Sequence, residues 1–360
     1  LETPTVEAAA SMENRIDVYS APTLFVHTAR RIQAGFAPTG AEIEAILRIC
    51  RVVGGMPLAI ELAAAWVRVL SCQEIAEEIE ESLGLLATTQ RDLSPRHRSM
   101  QAVFDHSWKL LSVEEQSVFA RCSVFRGGFT REAAVEVAGA SLPILADLVD
   151  KSLLRRNHQQ RYEIHELALQ YAADRLAEAH GVAQTCHRHL RFFSQFAEEA
   201  EPQLRIGRHV VQWLDRVERE HDNARAAIEW ALNDGEFTLG MRIVGALWDF
   251  WMVRGYAREG QAQAERFLVR PEAAADNYRR ARVLHTAGVL AFYQGRCESA
   301  HALLVDSIVC SRQLGTDGRL IFTWALMAKG HTLISIEKVD AAESTARDCL
   351  RLVHELLDAS

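Results

Sequence analysis

Several things are scarce or missing in this 360-residue chain, and each absence removes a class of function. No Gly-x-x-x-x-Gly-Lys-Ser/Thr loop occurs, and Gly-Lys never appears even as a dipeptide, so the sequence contains no phosphate cradle of that type. His-Glu-x-x-His and Gly-x-Ser-x-Gly are also missing, and the scattered Ser, His and Asp residues define no hydrolytic triad. No catalytic residue is assigned. A formal net charge of -8 supplies no cationic field for nonspecific nucleic-acid binding. No apolar run approaches the roughly 20 residues of a membrane span, and residues 1–20 lack the basic start and apolar centre of an export signal. The seven cysteines are odd in number, widely spread and never in a Cys-x-x-Cys pair, which suits reduced, mostly buried thiols and a cytoplasmic setting.

Strand signals are scarce too. Apolar residues recur at helical spacing almost throughout, as at Ile43, Ile46, Leu47, Ile49 and Cys50, and 49% hydrophobic residues suffice for two or three helical domains. Three helix starts carry a hydroxyl followed three residues later by a carboxylate: Thr39 with Glu42, Ser71 with Glu74, and Ser112 with Glu115. Residues 21–95 read as a helical bundle that closes in a polar linker, Ala87 to Pro95. Between 96 and 180, helices give way to an alternating pair of segments around the polar turn Asn157-His158-Gln159-Gln160, the order of a winged helix. Residues 181–272 read as helical linker and degenerate repeats. Over 273–360 a repeat is visible: Gly288 and Ala300 are twelve apart, as are Gly330 and Ala342, with Leu304 and Ser307 matched by Ala346 and Cys349. This is the small-residue skeleton of a tetratricopeptide repeat (TPR), at about 40–42 residues instead of about 34. A weaker copy passes through Trp248, Gly255, Gly260 and Phe267. The expected fold class is mainly α: a helical bundle and winged-helix domain followed by a TPR-like α-superhelix.

One segment serves a geometry more than a core. In Val52-Val53-Gly54-Gly55-Met56-Pro57-Leu58-Ala59, two glycines can end a helix at positive φ, and Pro57 can open the next without losing a needed N–H. With Trp66-Val67-Arg68 after it, the segment resembles the GLPLA-type motif of STAND-class NTPases, the NB-ARC relatives found in LuxR-type bacterial transcriptional regulators and signalling ATPases. The resemblance continues through Phe104-Asp105-His106-Ser107-Trp108, Phe125-Arg126-Gly127-Gly128-Phe129-Thr130, Leu148-Val149-Asp150-Lys151-Ser152-Leu153 and Tyr162-Glu163-Ile164-His165-Glu166-Leu167, then Glu220 to Ala227. Met56 stands where the family more often has Leu. The resemblance implies that residues 1–20 are the remnant of a nucleotide-binding domain, that 21–95 is an ARC-type bundle, and that the chain, which opens at Leu1 without a Met, is a fragment lacking the P-loop and effector domains.

It also implies two nucleotide contacts, both in the intact protein only. Pro57 is either plain helix punctuation or the proline that packs on adenine. His165 is either a structural histidine or the His of a Met-His-Asp motif that holds the ADP phosphate, although Ile164 and Glu166 occupy the flanking places here. ADP or ATP with Mg would bind the intact protein and none would bind this chain alone, making the whole a slow ATPase switch and the fragment no enzyme. Most aromatics of the repeat region are expected to be core packing between helices; Trp248, Trp251, Tyr293 and Trp324 are the candidates for a partner-binding groove, since Trp and Tyr carry interface energy well. The partner would be a protein or small-molecule inducer, and activation would bring self-association. The candidate recognition helix, Leu142 to Ser152, is apolar and acidic, so direct DNA contact is not expected; Arg155, Arg156 and Arg161 are either phosphate contacts of the wing or, as is commoner, its solvated surface. Cys186-His187-Arg188-His189 reads as helix surface, lacking the spacing and fourth ligand of a zinc site. The rival account is a nucleotide-independent helical-repeat scaffold.

Overall fold

The computed structural model describes residues 1–3, 19–89, 95–205, 208–234 and 236–358. It is mainly α-helical and divides into two compact units. The first holds residues 1–124 and 128–182; the second holds 183–360 together with Phe125–Gly127.

In the first unit, α1 (Ser20–Ile32), α2 (Gly40–Val52), α3 (Pro57–Ala65), α4 (Cys72–Thr89) and α5 (Pro95–Lys109) form the bundle. α3 packs on α1 and α5, and α4 on α2 and α5. Its sequence explains its central place: Ala59, Ile60, Leu62, Ala63, Ala64 and Ala65 are all buried, and a helix with Glu61 as its one charged residue has to be largely enclosed. The three capping pairs form as the sequence predicts. Glu42 accepts from the Thr39 N–H at 2.7 Å, Glu74 from that of Ser71 at 2.7 Å, and Glu115 from that of Ser112 at 2.7 Å. The linker expected at Ala87 to Pro95 is shorter than predicted, because α4 continues to Thr89 and α5 starts at Pro95; Gln90 to Ser94 lie outside the described residues.

Next come α6 (Val113–Arg121), α7 (Arg131–Ala133), α8 (Leu142–Asp150), the strands β1 (Arg155–Arg156) and β2 (Tyr162–Glu163), and α9 (Glu166–Glu178). β1 and β2 pair antiparallel, Arg155 with Glu163 and Arg156 with Tyr162, around a turn in which Asn157 Oδ1 accepts from the N–H groups of Gln159 and Arg161. Phe129 adds an antiparallel bridge to Tyr162. The hairpin is shorter than its alternating sequence suggests, since Leu153 and Leu154 are buried outside it. Arg161 is a correction: it is buried, and its guanidinium donates to the Gly128 carbonyl at 3.0 Å, so it is no phosphate contact of an exposed wing.

The second unit begins with α10 (Val182–Arg205) and α11 (Val210–Asp234), then α12 (Phe237–Ala246), α13 (Trp248–Val253), α14 (Ala257–Leu268), α15 (Asn277–Tyr293), α16 (Cys297–Arg312), α17 (Arg319–Ser335) and α18 (Val339–Asp358). From α14 onward each helix packs chiefly on the next, the neighbour-only pattern of a repeat array. Left-handed residues at Gly255, Gly295 and Glu337 make the same turn ahead of α14, α16 and α18, which sets a repeat of 40 and then 42 residues. The small residues do not all act alike. A methyl on Gly288 would meet Leu304 Cγ at 2.7 Å, the close approach expected of a TPR pair, but one on Gly330 would meet nothing within 4 Å. His189, read as helix surface, is buried among Phe125, Phe193 and the Asn223 amide oxygen. Among the described residues no helix is long and apolar enough to cross a membrane.

Candidate functional site

Two arrangements stand out, one in each unit. In the first, Gly54 and Gly55 take φ of +62° and +66°, ending α2, and Pro57 opens α3. Pro57 is exposed while the helix behind it is buried. Gly55 cannot carry a side chain, because a Cβ would collide with the Leu1 carbonyl and crowd Thr3 Cγ2 at 3.2 Å. His165 sits just before α9 and caps it: its Nδ1 accepts from the Leu167 N–H at 3.3 Å. That bond assigns the ring proton to Nε2 of an exposed imidazole. A donor at a helix N-terminus suits an anion, while Glu166 in the same first turn opposes one.

In the second unit a cavity of about 330 Å³ opens along the first helices of three successive repeats. Trp248 and Met252 come from α13, His285, Val289, Phe292 and Tyr293 from α15, and Trp324 and Met327 from α17. Three of the four aromatic residues singled out by sequence, Trp248, Tyr293 and Trp324, therefore share one site. The fourth does not belong to it. Trp251 is 1% exposed, donates its indole N–H to His221 Nε2 at 3.3 Å and packs on Gly260, so it is core and offers nothing to a partner.

Arg205, from α10, closes one side of the cavity. Its Cζ stands 3.7 Å from the Trp324 ring centroid and 5.0 Å from that of Trp248, and it pairs with Asp249 at 3.1 Å and Glu201 at 3.4 Å. Glu201 also holds Arg282, which donates to the Gly245 carbonyl. Two guanidiniums thus meet two carboxylates, and the cluster is charge-balanced. Burial pushes the Asp249 carboxyl above its ordinary range, and the nearby Arg205 only partly offsets it. Burial, then Arg205 and Arg282, push His285 down to about 3, so its ring is neutral with one donor and one acceptor.

Sequence reading missed Arg205 and His285. The repeat could have found His285, whose offset of 42 leads to Met327, just as Val289 leads to His331 in the same lining. Arg205 precedes the repeats and has no periodic signal. Among the described residues no group of three His, Cys, Asp or Glu could hold a metal.

No family model matches the chain. Over 247 residues, 66% of its length, it is 35% identical to proteins of Mycobacterium tuberculosis and Mycobacterium bovis that are provisionally named HTH-type transcriptional regulators. The chain spans only 28% of the length of those relatives. An uncharacterized Mycobacterium tuberculosis protein is 33% identical over 167 residues, 43% of this chain and 42% of that one. A solved structure from Pyrococcus horikoshii, described as a signal transduction ATPase with numerous domains (STAND) carrying a tetratricopeptide repeat sensor, aligns over 94% of this chain and 54% of its own at 12% identity. Its TM-score is 0.38, too low to carry an argument.

Proposed function

We propose that this chain is the regulatory and sensor part of a larger STAND-type, nucleotide-switched signal-transduction protein whose output is transcription. The observation that carries the reading is the turn at Gly54-Gly55-Met56-Pro57, with its two left-handed glycines and its exposed proline at the head of a buried helix. The names of the mycobacterial relatives support the transcriptional output.

In the intact protein, Pro57 would pack against the base of ADP or ATP held with Mg by a P-loop domain, and the His165 Nε2–H would donate to a phosphate oxygen. The repeats would bind an inducer. An inducer that binds the open form more tightly than the closed one shifts the population toward it, in proportion to that difference in affinity and no further. Self-association would follow, and DNA contact would fall to an effector domain, since α8 presents apolar and acidic residues. The nucleotide chemistry would be a slow hydrolysis that resets the switch, with no catalytic group from this chain.

Calorimetry with ADP and ATP on a longer chain that carries the P-loop domain tests this, comparing wild type with His165→Ala. Loss of a hydrogen bond to a charged phosphate should weaken ADP by about 10- to 100-fold. If neither protein binds nucleotide, the repeats are a scaffold that works without one.

A further inference from the structure

His285 is 4% exposed and lines the cavity, its ring offering a hydrogen-bond donor and an acceptor. Trp248, beside it, has a buried indole N–H with no acceptor. Buried polar groups are ordinarily paired, and an unpaired one costs free energy that a bound molecule can recover. Around them the lining is apolar and aromatic: Met252, Phe292, Trp324 and Met327. Flat side chains and adaptable thioethers suit a planar apolar body.

We propose that this cavity binds an uncharged aromatic small molecule of one or two fused rings, held between apolar side chains and oriented by a hydrogen bond to His285. This deepens, and rests on, the reading of the repeats as the sensing arm. Charge balance decides against an ionic ligand: Arg205, Arg282, Glu201 and Asp249 already satisfy one another, and a further charge would be buried without a partner. Size decides against a peptide, because about 330 Å³ lies at the lower end of small-molecule sites, roughly 300–1,000 Å³. A sugar would bring more hydroxyls than His285, the Trp248 N–H and the Tyr293 hydroxyl can answer.

The probes are indole, its isostere indene, which lacks the N–H, and the anion indole-3-acetate, each titrated calorimetrically into the full chain without nucleotide. Indole should bind about tenfold more tightly than indene, and that preference should vanish in His285→Phe, which keeps an aromatic ring and removes the hydrogen bond. Tyr293→Ala, at a side chain 60% exposed and therefore safe for folding, should weaken both neutral probes. The proposal is overturned if neither neutral probe binds, if indole-3-acetate binds as tightly as indole, or if the preference for indole survives in a folded His285→Phe protein. Because binding is read without nucleotide, a failed nucleotide switch with intact indole binding refutes only the switch, and the reverse result refutes only the ligand.

Discussion

Glu337 adopts the same left-handed backbone conformation as Gly295, φ +60° against +76°, at the corresponding turn of the next repeat. A residue with a Cβ holds that conformation at a cost of roughly 1–2 kcal/mol, against which glycine loses about 0.5–1 kcal/mol through its freer unfolded chain. Glu337→Gly should therefore stabilise the second unit by about 0.5 kcal/mol, and Gly295→Ala, with nothing within 4 Å of the added methyl, should destabilise it by a similar amount. Denaturant midpoints at unchanged slope are the measurement. Equal midpoints for all three proteins would mean that the turn relaxes out of the left-handed region at no cost.

The helix glycines separate by what faces them. A methyl on Gly260 would collide with the Trp251 ring and approach Leu290 Cδ1 at 2.8 Å, so Gly260→Ala should cost about 1–3 kcal/mol by overpacking. Gly330 faces open space inside α17, and Gly330→Ala should stabilise by about 0.5–1 kcal/mol through helix propensity alone. Thermal melts of the two variants should move in opposite directions.

Acid should weaken the second unit before most carboxylates titrate. Burial, only partly offset by the Asn223 bond, pushes His189 down to about 4, and burial with Arg205 and Arg282 pushes His285 to about 3. Both folded values lie below the ordinary histidine value of 6.5. Above 6.5 their contribution is complete. As the pH falls from there toward about 4, the unfolded chain takes up protons that the folded one refuses, and stability is lost at up to about 1.4 kcal/mol per pH unit for each histidine. Urea melts between pH 7 and pH 4.5 should show this slope, reduced by about one proton in His189→Gln. An unchanged slope in that variant would show that His189 is protonated in the folded protein.

The sequence made the local features legible where a short-range rule decides them: the capping carboxylates Glu42, Glu74 and Glu115, the glycine pair before Pro57, and the turn period of the repeats. It was blind where a contact joins distant segments. Nothing local distinguishes Trp248 from Trp251, three positions apart on one short helix, yet one lines a cavity and the other is sealed against Gly260 and His221. Nor does Arg161 differ in kind from Arg155 and Arg156, which are exposed; its burial follows from the Gly128 carbonyl, 33 residues away. Gly330 kept the spacing of Gly288 without its role, because close helix approach depends on the residue opposite, Leu304 in one repeat and no atom within reach in the other.

Phe125–Gly127 belong with the second unit although the residues on either side belong to the first. The Phe125 ring packs on His189, and the Arg126 N–H donates to Asn223 Oδ1 at 2.7 Å. A truncation at residue 183 would therefore remove three residues that the repeats use from afar, leaving His189 and Asn223 facing solvent. For protein chemists the consequence is practical: a shortened repeat unit keeps this packing only if Phe125–Gly127 are supplied along with the residues from 183 onward.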